Sequence, residues 1–151
     1  DEKDTQAMFK ASYLFQFSVQ SDWPEDDKTG AFKMGVYGNH SLYEELVAKY
    51  ATKPIGGQVL EVLEILDLED LEKLHVIYVS KEKSEDLELV KEKTSTYSSL
   101  IVSHVEKGLE RGAIINFVIV ESGIRYELSL DNANSKGITI GSKLLQWSTN
   151  K

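Results

Sequence analysis

No cysteine occurs anywhere in the chain. That removes disulfide bonds, thiol nucleophiles and thiolate metal ligands together. Without covalent staples the fold must rest on a hydrophobic core, and 151 residues are enough to bury one. Positive charge is also short: 17 Lys and Arg stand against 25 Asp and Glu, for a net charge of −8. A nucleic-acid binder needs a basic patch and an anionic-lipid binder needs a polybasic segment, so neither class fits. No apolar run approaches the roughly 20 residues of a membrane span. The catalytic signatures are missing as well. There is no Gly-x-Ser-x-Gly elbow, no His-Glu-x-x-His helix and no phosphate loop, and Gly35 and Gly38 do not complete a dinucleotide fingerprint. No repeat, low-complexity tract or linker breaks the chain, which reads as one domain over residues 1–151. It opens on Asp-Glu-Lys-Asp rather than on an initiator Met, which favours a processed chain.

What is present is organised around residues 113–130. The first arm, Ala-Ile-Ile-Asn-Phe-Val-Ile-Val, is β-branched and almost continuously apolar, as in a strand buried on both faces. In the second arm Ile124, Tyr126, Leu128 and Leu130 alternate with Arg125, Glu127, Ser129 and Asp131. Ser122-Gly123 fits a two-residue hairpin turn, which sets Phe117 opposite Leu128 and Asn116 opposite Ser129. Asn116 then shares a face with Arg125, Glu127 and Ser129. A buried amide needs partners, so Asn116 is either a structural amide satisfied by a neighbouring loop or a polar contact for a ligand or partner, with the first reading ahead.

The remaining chain alternates helix and strand. Asp4 or Thr5 caps a helix reaching about Gln20, with stripes Met8-Ala11-Phe15-Val19 and Phe9-Tyr13-Phe17. Trp23 anchors the following turn on the core. A strand at 32–37 leads through Gly38-Asn39-His40 into a helix to about Tyr50, boxed by Ser41 and Glu44. Strands follow at 59–65, 75–79 and 99–104, with helices at 67–73 and 84–93 between them. Asp131 caps a short helix, and a final helix turns Leu144, Leu145 and Trp147 inward. This order predicts a three-layer α/β sandwich: a mostly parallel mixed sheet with an antiparallel C-terminal hairpin, Rossmann-like or flavodoxin-like in a loose sense.

Little in this plan makes chemistry. His75 opens its strand while His40 and His104 follow the ends of theirs, so the three do not converge on a metal. The carboxylates lie in runs such as 82–92 and no pair stands apart. The expectation is a protein without catalytic residues, metal or cofactor. The strand-end turns at Asn39, His40 and His104 remain a candidate small-ligand site.

Several segments carry a family resemblance. They are Phe-Lys-Ala-Ser-Tyr-Leu-Phe-Gln-Phe from Phe9, Asp-Trp-Pro from Asp22, and Leu-His-Val-Ile-Tyr-Val-Ser from Leu74. Arg-Gly-Ala-Ile-Ile-Asn-Phe follows from Arg111, Arg-Tyr-Glu-Leu-Ser-Leu from Arg125, and Gly-Ile-Thr-Ile-Gly-Ser-Lys-Leu-Leu from Gly137. In this order and spacing they resemble the YfiR-like family of bacterial extracytoplasmic proteins. The resemblance implies an α/β sandwich, often dimeric, exported with a signal peptide that is then removed. It implies a periplasmic regulator whose partner is a membrane-bound signalling protein, either a diguanylate cyclase of cyclic-di-GMP signalling or a histidine kinase. Asn116 and Phe117 match the family's Ile-Asn-Phe, and Arg125, Tyr126 and Glu127 match its Arg-Phe-Glu. With Ser129, residues Asn116, Phe117, Arg125 and Glu127 are the candidate partner-binding set. The chain departs from the pattern at Leu74, where the family often has Cys, at Arg111-Gly112 in place of Gly-Gly, and at Ser129 in place of Asn. The first departure removes a redox role at that position.

Overall fold

The computed structural model describes residues 4–150. In chain order the elements are α1 (Ala7–Val19), β1 (Ser21–Asp22), β2 (Phe32–Tyr37), α2 (His40–Lys49), β3 (Pro54–Ile55), β4 (Gln58–Ile65) and β5 (Val76–Val79). They continue with α3 (Leu87–Lys93), β6 (Leu100–Ser103), β7 (Ile115–Val120), β8 (Gly123–Leu128), α4 (Leu130–Ser135), β9 (Thr139–Ile140) and α5 (Ser142–Trp147). The main sheet runs β3-β4-β2-β5-β6-β7-β8, and β1 pairs with β9 separately. Its five inner strands are parallel, while β3 and β8 join antiparallel at the edges.

The strands are buried on both faces, which is why they read as continuous apolar runs. One face carries Met34, Val36, Tyr78, Val102 and Phe117 against α1 and α2; the other carries Ile77, Val79 and Ile101 against Leu87 and Val90 of α3. Helices on both faces of a mostly parallel sheet make the expected three-layer α/β sandwich. Because α2 leaves β2 toward one face and α3 leaves β5 toward the other, the chain reverses direction between these adjacent strands. In open α/β sheets a crevice forms at that switch point, at the carboxyl ends of the strands.

Both sheet edges are blunted. The two-residue β3 begins with Pro54. Along β8, Tyr13 Oη donates to Ile124 O at 3.0 Å, Thr149 N to Tyr126 O at 2.9 Å, and Asn150 Nδ2 to Leu128 O at 2.9 Å. The hairpin is further clamped to α1 by rings: Phe17 meets Tyr126 edge-on at 4.9 Å and Tyr13 meets it at 5.5 Å. Such pairs contribute about 1 kcal/mol each beyond burial.

Several local expectations give way. The hairpin turn is Glu121-Ser122, both at positive φ (49° and 68°), and Gly123 pairs with Val120 inside the ladder. Asn116 therefore faces Glu127, and Phe117 faces Tyr126. The slip is two residues, so every side chain keeps its expected face while exchanging its partner. In α1 the buried face is Ala7, Lys10, Ala11, Leu14, Phe17 and Ser18; Met8, Phe9 and Val19 are exposed. Asn39 caps α2, its Oδ1 accepting from Leu42 N at 3.0 Å, so the expected Ser41-Glu44 box lies inside the helix. Ser129 caps α4 in place of Asp131. Residues 67–73 hold only one 3₁₀ turn, Leu68–Asp70, and a 3₁₀ segment, Lys81–Asp86, precedes α3. Trp147 is exposed, against its expected inward place, whereas Leu144 is buried. Trp23 does anchor its turn, edge-on to Phe32 at 5.0 Å.

Candidate functional site

Asn116 sits in β7 and is 2% exposed. Its Oδ1 accepts from Ser103 Oγ at 2.7 Å and from Val105 N at 3.1 Å; its Nδ2 donates to Val105 O at 2.9 Å and to Glu127 Oε2 at 3.1 Å. All four bonds of the amide are made, so it fixes the loop leaving β6. Gly108 passes so close that a Cβ there would meet Asn116 Oδ1 at 2.5 Å. Phe117 is also buried, packed on Tyr78 at 6.0 Å. Ser129 Oγ is engaged in capping α4. Arg125 is exposed and donates to Trp147 O at 3.3 Å, and Glu127 is half-buried. Of the five hairpin residues, Asn116 and Phe117 are buried, Glu127 and Ser129 are half-buried, and Arg125 is exposed.

Beside Arg125 lies an apolar groove of about 460 Å³ between α1, the start of β8 and α5. Tyr13, Ile124, Tyr126 and Leu144 form its floor, with Phe9 and Trp147 on its walls. Phe9 is 60% and Trp147 52% exposed, and Ile119 and Val120 continue the apolar surface at the hairpin tip. Apolar spacing alone puts Trp147 inside and Phe9 in a stripe with Tyr13 and Phe17. The spacing of Ala7, Ala11 and Leu14 against Phe9 was the available signal.

The strand-end turns separate into two places. His40 turns toward β4, with Nδ1 2.8 Å from Glu64 Oε2, and the Glu64 carboxylate raises its pKa. Asn39 and His104 border a different cluster, at the switch point. There Lys10 of α1, only 3% exposed, pairs with Asp4 Oδ2 at 2.8 Å, and Asn39 Nδ2 donates to the same oxygen at 2.8 Å. Asp4 Oδ1 accepts from Gln6 N at 2.8 Å. Burial opposes the Asp4 charge, but the bonds from Lys10, Asn39 and Gln6 outweigh it and hold the carboxyl below its usual range. The Lys10 ammonium also lies 5.9 Å from the Tyr78 ring centroid. Burial, with Lys10 and Lys81 nearby, depresses the His104 imidazole to about 4. Two residues of this cluster carry a local signal that the apolar pattern hides: Lys10 is the single cation on the buried face of α1, and Tyr78 the one polar-tipped residue in an aliphatic strand.

His75 lies at the opposite end of β5. Its Nδ1 accepts from Lys33 N at 3.1 Å and its Nε2 is 2.6 Å from Asp27 O. Among the described residues no group of three or more His, Asp or Glu side chains is arranged to hold a metal ion. Arg111, where the resembled pattern has Gly, grips Glu88 with Nε and Nη2 both at 2.8 Å and draws its carboxyl down to about 2.

Comparison with curated proteins returns no match. Among solved structures, the crystal structure of a conserved domain protein from Vibrio cholerae O1 biovar El Tor str. N16961 is similar, with a TM-score of 0.66 at 17% identity. The similarity covers 98% of this chain and 60% of that one, so the chain spans about three-fifths of its length. At that identity the likeness speaks to the fold alone. The model of the YfiR/HmsC-like family, known as periplasmic regulators of diguanylate cyclases, matches residues 7–149. With nearly its whole length matched, the chain belongs to the YfiR/HmsC-like family.

Proposed function

We propose that this protein is a non-enzymatic extracytoplasmic regulator that binds the extracytoplasmic part of a membrane signalling protein, a diguanylate cyclase or a sensor kinase. Family membership supports the regulatory role. The observation that carries the reading is the groove walled by Phe9 and Trp147, with Arg125 beside it. Large aromatic side chains left in water around an apolar floor mark a protein-binding surface. The partner inserts apolar side chains between α1 and α5, and Arg125 and Glu127 set the polar margin. Asn116, Phe117 and Ser129 act behind this surface, keeping the hairpin rigid.

Phe9→Asp tests this directly. The residue is exposed, so the fold survives, while loss of an aromatic anchor weakens binding by about 30-fold. The measurement is biolayer interferometry against the purified extracytoplasmic part of the cyclase or kinase. Glu127→Lys has a smaller effect, a few-fold. Unchanged affinity in Phe9→Asp removes the groove from the interface. A dimer by light scattering that Phe9→Asp splits assigns the groove to a second copy of this chain.

A further inference from the structure

At the switch point between β2 and β5 the fold leaves polar groups unused. A cavity of about 300 Å³ opens there between the N-terminal end of α1, the Gly38-Asn39 turn and the end of β5. Tyr78 and Ser80 both line it, exposed by 0% and 3%. Among the described residues no acceptor meets the Tyr78 O–H, whose oxygen lies by Asn39, and neither the Ser80 hydroxyl nor Nδ1 of the adjoining His104 has a hydrogen-bond partner. Native proteins satisfy nearly all buried polar atoms, so two unspent hydroxyls lining one crevice call for an occupant. Gly38, at φ 89°, leaves the opening: a side chain there would strike Ser80 Oγ and Lys83.

Several of the unused groups are donors. Tyr78 and Ser80 each hold a free O–H donor, and Lys10 has two N–H protons beyond the one given to Asp4. Lys81 adds a second ammonium at the rim. The acceptors close by are committed: Asp4 takes Lys10, Asn39 and Gln6, and Asn39 Oδ1 takes Leu42. Glu82 is the remaining carboxylate of the wall, on the rim. In a chain of net charge −8, this is a spot where unspent donors gather beside a buried ammonium.

We propose that this cavity binds a small oxyanion, the carboxylate or phosphate group of a compact ligand, with Lys10, Tyr78 and Ser80 donating to its oxygens. The site lies apart from the apolar groove and does not depend on the partner-binding reading. The volume admits a metabolite of amino-acid or sugar-phosphate size. Ligand occupancy ties α1, which also walls the groove, to the ends of β2 and β5.

The test uses the ¹⁵N-labelled full chain at pH 7, titrated separately with sodium phosphate and sodium succinate at constant ionic strength. One anion produces saturable shifts at the amides of Asn39, Ser80 and Lys81, with a Kd below about 1 mM. Tyr78→Phe and Ser80→Ala each weaken that binding by about tenfold while leaving the urea midpoint of the free protein unlowered, since neither hydroxyl donates to an acceptor among the described residues. Saturation by phosphate alone identifies a phosphate-bearing ligand, and by succinate alone a carboxylate-bearing one. No saturable shift with either anion overturns the proposal. So do shifts that survive both substitutions unchanged.

Discussion

The two ends of β5 treat histidine and its neighbours in opposite ways. At the start of the strand, His75 has both ring nitrogens bonded, Asp27 O also accepts from Gln58 at 3.0 Å, and Asp27 pairs with Lys73 at 2.6 Å. At the other end, Ser80, Tyr78 and His104 keep orphan polar atoms around a crevice. The first arrangement spends its polar groups on holding strands and loops together. The second withholds them. A buried polar group left unbonded costs about 1–3 kcal/mol, so the difference separates polar residues that maintain the fold from polar residues it carries at a loss.

Substitution should expose that contrast. His75→Leu leaves Lys33 N without its acceptor and Asp27 O with Gln58 alone, and is expected to cost about 2 kcal/mol in urea unfolding. A loss below 1 kcal/mol would mean that water replaces the imidazole and that the two ends are less different than their bonds imply. The next effect appears with acid. His104 sits near 4 when folded, below its ordinary value of 6.5, so the unfolded chain binds more protons between those limits. Its contribution is complete above pH 6.5 and is lost as the pH falls toward 4. With partial exposure screening the group, the loss is about 1–2 kcal/mol. His104→Gln should flatten the stability profile across that window; a slope that persists would place the titration elsewhere. The smallest effect belongs to Tyr78→Phe. Removing an unbonded hydroxyl should leave the free protein equally stable or better by up to about 1 kcal/mol. A clear destabilisation would show that the hydroxyl has a partner after all.

The layered architecture was legible because it depends on periodicity. Apolar runs at 32–37, 76–79 and 100–103 separated by helical segments dictate a parallel sheet, and the alternation after Ile124 dictates an edge strand. Hairpin register was not legible. Glycine invites a positive φ, yet here Glu121 and Ser122 adopt it and Gly123 does not, a choice governed by strand pairing rather than local preference. Helix caps failed for a related reason: Ser41 and Asn39 both suit the role, and only the path of the chain out of β2 selects between them. The hairpin residues were found by pattern, and the structure shows Asn116 and Phe117 buried behind the surface they support. Lys10 comes from α1 and Tyr78 and Ser80 from the end of β5, and nothing local to either stretch announces that folding brings them together.

The hydrogen bonds along β8 also constrain how a partner can approach. Between Ile124 and Leu128 the outward-facing carbonyls of that strand are already taken by Tyr13, Thr149 and Asn150. A peptide cannot extend the sheet there by adding a strand unless the C-terminal segment first peels away. Recognition at this edge must therefore read side chains and shape, so it can discriminate among partners whose backbones are alike.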